Sequence, residues 1–367
     1  MRQILIVRLG SLGDVVHGLP AAAALRETWP QARLDWLVDR RNVDILRLVP
    51  VIDRAVVLEA PTIGGWVKVL RELRQVRYDV AIDLQGLLKS AALARFSGAR
   101  RVVGFATAHL RERTARPFYT EAIDPGSAGH VIHKNAALVR ALGVTDVPLR
   151  FPLRPTESPA LAAVRRDLGG PGAPPDAGGT GLQPSGGTGL QPSGGTGLQP
   201  CVRFALINPG AAWPNKRWPP ERFGAVAAFL RERFALPSIA LGGPGEEPLA
   251  QAVVESSNGA ARIAPRTTIA DLVELSRAAS VMVSGDTGPL HIAAATGTPI
   301  VSLFGPTDPA RNGPWAPDDE VISRWPECAC RYQRRCRRAT WCLAEITVGE
   351  VTAAIERRLA HRERTQN

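Results

Sequence analysis

The sequence predicts an α/β protein of two halves, each a parallel sheet covered by helices, with a ligand held in the cleft between them. Three observations predict it. A chain of 367 residues exceeds what one hydrophobic core usually organises. An alternation of strand-like and helix-like segments runs, stops and then restarts. In both halves, strands end in glycine-rich turns that carry charged side chains.

In the first half, Gln3–Arg8, Leu34–Val38, Arg54–Leu58, Val80–Leu84 and Arg101–Gly104 read as strands. Segments 15–28, 41–48, 64–76, 86–96 and 130–142 read as helices. In the second half, Arg203–Asn208, Ser238–Gly242, Val281–Ser284 and Ile300–Phe304 read as strands. Segments 220–233, 246–256, 268–278 and 289–296 are its helices, and a charged helix at 347–363 closes the chain. Between the halves, Gly-Gly-Thr-Gly-Leu-Gln-Pro-Ser occurs at 178–185 and 186–193, and most of it recurs at 194–200. The repeat offers too little apolar surface to offset its ordering entropy, so 169–200 reads as a flexible linker. The predicted units are therefore 1–168, the linker 169–200, 201–344 and a terminal helix within 345–367.

A hydrophobic fraction of 45% and a mean hydropathy of −0.04 are those of a soluble globular protein. No run approaches the ~18 apolar residues of a membrane span, and Arg8 and Asp14 interrupt the only stretch resembling a signal peptide. A cytoplasmic chain, at most peripheral on the inner membrane, is the expectation. The net charge of +11 and pI near 10.3 point to an acidic partner. Lysine stands only at Lys68, Lys89, Lys134 and Lys216, so the excess is arginine, which genome composition alone can produce. No interleaved aromatic–basic pattern supports nucleic-acid binding. Cys328, Cys330, Cys336 and Cys342 form a cluster whose Cys-x-Cys opening departs from a zinc knuckle, so reduced structural thiols are expected and a metal is not.

The strongest local signal is Val281–Gly297. A buried strand runs into Gly285-Asp286-Thr287-Gly288, and Pro289 opens a helix. Gly288 permits close backbone approach, and free N–H groups with the helix dipole suit phosphate. An ordinary βα turn has the same form, and His291 alone serves equally as a structural hydrogen-bonder. A second signal, Asn208-Pro-Gly210 through Lys216-Arg217, adds backbone donors and two cations at a strand end. A third, Ile4–Pro20, lacks G-x-G-x-x-G and sets Asp14 where it would repel a pyrophosphate, which disfavours a dinucleotide enzyme. Asp14 fits a general base for a hydroxyl or a simple helix cap equally well. Asp83-Leu-Gln85-Gly86 marks another strand end, followed by Arg95, Arg100, Arg101, Arg111, Arg113 and Arg116. Converging, those arginines would favour an acidic acceptor; dispersed, they are a solvated surface.

Together these segments resemble the ADP-heptose:lipopolysaccharide heptosyltransferases, glycosyltransferase family 9, over about 1–165 and 201–360. The motifs that carry the resemblance are Arg8-Leu-Gly-Ser-Leu-Gly-Asp-Val-Val-His17, Asp83–Gly86, Asn208–Ala212 with Lys216-Arg-Trp218, Gly285–His291 and Phe304–Asp308. The first two look more like the heptosyltransferase I branch than the II branch. The resemblance implies a GT-B fold, two Rossmann-like domains facing across a cleft. It implies inverting transfer of L-glycero-D-manno-heptose from ADP-heptose to Kdo of Kdo2-lipid A, with no cofactor or divalent metal in catalysis. Asp14 matches the family's base. Lys216, Asp286, Thr287, Gly288, His291, Asn208, Gly210 and Glu246 match donor contacts, and Ser11, Gly13, His17, Gln85 and Arg101 are the corresponding acceptor-side expectations. By the same resemblance, the helix in 345–367 is expected to pack back on the first domain.

Overall fold

A computed structural model of the chain describes residues 1–169 and 202–366, with side chains to His361. The repeat segment and its linker reading, Gly169 apart, lie outside the described residues.

The first half comprises β1 (Gln3–Val7), α1 (Leu12–Val16), α2 (Leu19–Thr28), β2 (Arg33–Asp39), α3 (Val43–Leu46), β3 (Arg54–Leu58) and α4 (Ile63–Leu73). It continues through β4 (Val80–Asp83), α5 (Leu88–Phe96), β5 (Arg101–Phe105), β6 (Glu121–Ile123), α6 (Val131–Arg140) and α7 (Pro159–Asp167). The second half begins with β7 (Ala205–Asn208), α8 (Pro220–Phe234), β8 (Ser238–Ala240), α9 (Glu247–Glu255), β9 (Ala261–Ile263) and α10 (Ile269–Ala278). It ends with β10 (Val281–Gly285), α11 (Gly288–Ala295), β11 (Ile300–Phe304), α12 (Pro309–Asn312), β12 (Glu320–Ser323) and α13 (Val348–Gln366).

The strands form two six-stranded sheets, ordered β3-β2-β1-β4-β5-β6 and β12-β11-β10-β7-β8-β9, with every described pairing parallel. Numbered from its own first strand, the second sheet repeats the order of the first. Each sheet therefore reverses direction beside its first strand, between β1 and β4 and between β7 and β10. That reversal opens a crevice at the carboxyl ends of those strands. The central strands β1, β4, β7, β10 and β11 are buried almost end to end, as two-sided cover by helices requires.

Every predicted strand is present. Three that went unread, β6, β9 and β12, are edge strands of three or four residues that carry charge and little burial, so their apolar signal is short. The single helix expected over 15–28 is two, α1 and α2, because Pro20 lies in the first turn of a new helix and Gly18 caps it. The short helices α7 and α12 were also unread.

The terminal helix corrects its expectation. Val351, Ala354, Ile355 and Leu359 of α13 join Leu230, Leu343 and Ile346 in the core of the second half. Arg357 pairs with Glu320 at 2.7 Å and Arg358 with Asp319 at 3.0 Å, holding α13 beside β12. Its apolar face is thus satisfied by the second sheet rather than the first. The crossing segment is α7, which lies on α10 of the other half. There one carboxylate serves two helices: Asp271 Oδ1 accepts from Ser158 Oγ at 2.7 Å, and its Oδ2 accepts from Thr268 N at 3.0 Å. Burial raises the pKa of Asp271, but these hydrogen bonds outweigh it and hold the group below its ordinary value.

Candidate active site

The two crevices face each other, and α1 packs against α11 at their meeting point. Each helix carries a glycine in its first turn where it meets the other. A Cβ on Gly13 would lie 2.1 Å from the His291 ring, and one on Gly288 would lie 2.9 Å from Leu12. Gly288 thus admits the other domain, a role distinct from the close approach to a ligand expected of it.

On the second-domain side, Asp286 follows β10 and is almost fully buried. Its Oδ2 accepts from Lys216 Nζ at 2.5 Å and from Thr307 Oγ1 at 2.7 Å; its Oδ1 accepts from Asn312 Nδ2 at 3.0 Å and meets His291 Nε2 at 3.3 Å. Burial alone would favour the neutral acid. The His291 and Lys216 interactions overcome it, and Asp286 is ionised far below the ordinary carboxylate range. Lys216 ends the loop that leaves β7 and also lies 4.6 Å from the Trp213 ring centroid. Behind them, Asn208 Nδ2 donates to Ser284 Oγ and Thr287 Oγ1, each at 3.0 Å, which fixes the β7 and β10 turns together. Thr287 is the N-cap of α11 but makes no side-chain hydrogen bond to its first turn. Those helix N–H groups are left for an anion, beside the Lys216 cation. Glu246 sits over Gly210, where a Cβ would fall 2.1 Å from its carboxylate, and accepts from Gly243 N at 3.2 Å.

On the first-domain side, Ser11 caps α1, and Asp14 reaches back to it, Oδ2 accepting from Ser11 N at 2.9 Å and Ser11 Oγ at 3.1 Å. Its Oδ1 lies 2.5 Å from Arg8 Nη2, and its side chain keeps 33% exposure. Burial pushes the Asp14 pKa up, but Arg8, the Ser11 N–H and Arg311 push harder, leaving it below the ordinary value. Asp14 therefore completes the capping box of α1 while remaining an ionised, partly exposed carboxylate. His17 is 1% exposed and neither ring nitrogen has a partner. Its ring lies 4.5 Å from that of His291 and 5.4 Å from that of His130. Burial and the neighbouring imidazoles hold His17 neutral, well below its usual pKa. Gln85 Oε1 accepts from Leu9 N at 2.9 Å, tying the ends of β4 and β1 together.

Arg101 is a correction. It is the first residue of β5, so it lies at the opposite edge of the sheet from the crevice, about 13 Å away along the strand. There it is held by both oxygens of Glu121, at 2.6 and 2.8 Å. The arginine group divides between the two ends of β5 instead of converging: Arg100 and Arg101 stand at its start, while Arg111, Arg113 and Arg116 follow its end. Asp83 is structural, accepting from Tyr119 Oη at 2.7 Å and Ser90 Oγ at 2.9 Å. The cysteines gather in one small cluster, Cys330 and Cys336 Sγ atoms 3.3 Å apart and Cys328 and Cys342 3.5 Å apart, all four as free thiols. Sequence reasoning missed Arg8, Thr307 and Asn312 as partners of the two key carboxylates. Arg8 and Thr307 stood inside quoted motifs, whereas nothing in the neighbourhood of Asn312 flagged it.

Two Rossmann-like sheets, with a cation and a free helix N-terminus on one side of the cleft and an ionised carboxylate on the other, define a GT-B glycosyltransferase. The chain belongs to glycosyltransferase family 9 (heptosyltransferase), whose family pattern matches residues 66–341. It is 27% identical over 347 residues to lipopolysaccharide heptosyltransferase 1 of Pseudomonas aeruginosa, covering 91% of this chain and 87% of that one. It is 26% identical over 363 residues to lipopolysaccharide heptosyltransferase 3 of Escherichia coli, covering 95% and 96%. In fold it is similar to a family 9 glycosyl transferase from Veillonella parvula, with a TM-score of 0.76 at 23% identity over 98% of this chain and 97% of that one. It is similar also to E. coli heptosyltransferase WaaC solved with ADP-2-deoxy-2-fluoro heptose, with a TM-score of 0.68 at 23% identity over 96% and 99%.

Proposed function

We propose that the chain transfers L-glycero-D-manno-heptose from ADP-heptose to a Kdo hydroxyl of Kdo2-lipid A, with inversion, during lipopolysaccharide inner-core synthesis. The observation that carries this reading is the facing of Asp14 and the Lys216–Asp286–α11 group across the α1/α11 contact. The second-domain group takes the donor. Lys216 and the α11 N–H groups meet the diphosphate, Asp286 and His291 hold sugar hydroxyls, and Glu246 with Gly210 lies by the nucleoside. Asp14 accepts the proton of the acceptor hydroxyl as its oxygen attacks the anomeric carbon. The bond from that carbon to the diphosphate oxygen breaks on the opposite face, and the electron pair leaves on ADP. Lys216 and the helix terminus stabilise that charge, so no cofactor or divalent metal is assigned to the step. Ser11, Gly13, His17 and Gln85 shape the acceptor side. The basic surface is read as meeting anionic lipid on the cytoplasmic face of the inner membrane.

The test is ADP release on mixing the protein with ADP-heptose and Kdo2-lipid A. Turnover only with a different acceptor would replace Kdo2-lipid A, which the similarity to a heptosyltransferase 3 makes the pertinent alternative. The Asp14→Ala variant is expected to lose turnover by at least about 100-fold and to keep its ADP affinity. A chain that binds ADP but turns over no acceptor would instead be a nucleotide-binding module.

A further inference from the structure

One pair of cations in the cleft has no direct partner in the reading above, although Arg311 also acts on Asp14 at a distance. Residues 308–315 of the second domain lie on the N-terminal end of α6 in the first. His130, the N-cap of α6, meets Gly313 O through Nε2 at 3.0 Å, and a Cβ on Gly129 would stand 3.8 Å from Ala310 O. Two cations flank this seam. Arg311 projects from α12, and Lys134 stands one helical turn beyond His130, its N–H bonding to His130 O at 3.1 Å. Both side chains are half-buried. Among the described residues neither makes an ion pair or a side-chain hydrogen bond; Arg311 only overlies the Tyr332 ring at 5.9 Å.

Like charges brought together and left unpaired are unfavourable unless something anionic completes them. The nearby acids are already engaged. Asp14 is held by Arg8 at 2.5 Å, and Asp308 Oδ1 accepts from Ala310 N at 2.9 Å. Burial and Arg311 together lower the pKa of Lys134, and Asp308 only partly offsets them. The seam also continues into the active site: the His130, His17 and His291 rings stand in line, at 5.4 and 4.5 Å, leading to Asp286.

We propose that Arg311 and Lys134, one from each domain, form a subsite for an anionic group of the acceptor, a carboxylate or a phosphate, complete only when the cleft is closed. Acceptor binding then holds the domains together, and the reacting hydroxyl arrives beside Asp14 in the closed state. The inference rests on the reading of the chain as a transferase to an anionic glycolipid.

The test compares the full-length wild type with Arg311→Gln, Lys134→Gln and Arg311→Lys. Both Gln variants are expected to raise the KM for Kdo2-lipid A about tenfold, with the KM for ADP-heptose within about twofold and substantial recovery in Arg311→Lys. An unchanged acceptor KM overturns the subsite, and so does a donor KM that rises in step. Acceptors with Kdo carboxyls amidated, or with lipid A phosphates removed, identify the ion. The wild type should discriminate against one of them and Arg311→Gln should not; discrimination unaltered for both overturns the proposal. If wild type releases no ADP from this substrate pair, the functional reading has failed on its own. The subsite is then read from the rise in Tm that free Kdo or inorganic phosphate gives the wild type. Loss of that rise in the Gln variants supports the subsite, whereas its retention, or no rise in wild type, overturns it.

Discussion

At the scale of single residues, the site turns on how two carboxylates, one buried and one partly exposed, are kept ionised by different means. Asp286 is held by four side-chain partners shared between its two oxygens. Asp14 depends mainly on one cation, Arg8, plus its own N-cap. A base whose pKa is depressed acts above that pKa and is lost as pH falls through it. The acid limb of kcat/KM assigned to Asp14 is therefore expected below the ordinary aspartate value of 3.8. Replacing Arg8 by Met removes the cation and should move that limb upward by about one unit or more. A pH–rate profile checks this, and an unmoved limb would detach Arg8 from the base. Much at this scale was legible in sequence, because Asp14, Lys216 and Asp286 each lie in a motif that follows a strand. What was not legible was pairing: no spacing rule links Arg8 to Asp14 or Asn312 to Asp286, since the fold brings those partners together. Arg101 misled for a related reason. Its charge suits an acidic acceptor, but its position at the start of a strand sends it to the wrong edge.

At the scale of elements, α1 and α11 pack closely because each carries a glycine in its first turn, Gly13 and Gly288. Gly13→Ala would drive a methyl into the His291 ring, whose place is fixed by Asp286. Overpacking of this kind costs about 1–3 kcal/mol, here charged to closure. Turnover is expected to fall about tenfold or more with little loss of Tm, since each domain core is untouched; a Tm loss with normal turnover would contradict this. The opposite pattern is expected for Asp271→Ala, which removes the acidic half of the α10 capping box and releases Ser158 of the crossing helix. It should lower stability by about 1–2 kcal/mol, read as a fall in Tm. Because the Asp271 pKa is depressed, its contribution is present above the ordinary aspartate range and fades on acidification, so wild type and variant converge at low pH. Central elements were legible because buried strands give long apolar runs. The edge strands β6, β9 and β12 and the helix α7 were not, being short and half-exposed. The terminal helix was misplaced because its apolar face names no partner, and only packing shows that the second sheet takes it.

At the scale of the molecule, one contiguous set of buried apolar side chains runs from β1 into the second half, through Leu272, Met282, Leu290 and Ile300. Across the same boundary Trp315 stacks on Phe151, their ring centroids 4.5 Å apart. The halves are thus coupled by shared core as well as by α7. A single calorimetric unfolding transition is expected, and two separated transitions would refute the coupling.

The repeated strand order has a further consequence. Two sheets wired alike present the same kind of crevice, yet one carries an ionised carboxylate and the other a lysine beside an uncapped helix N-terminus. On the proposed reading, loops at each crevice can change without altering the strand order of either sheet. A hybrid joining the first half of this chain to the second half of a relative should take its acceptor preference from the former and its donor from the latter. The seam at Arg311 and Lys134 is the place where such a graft would first show mismatch, because there the two lineages must agree.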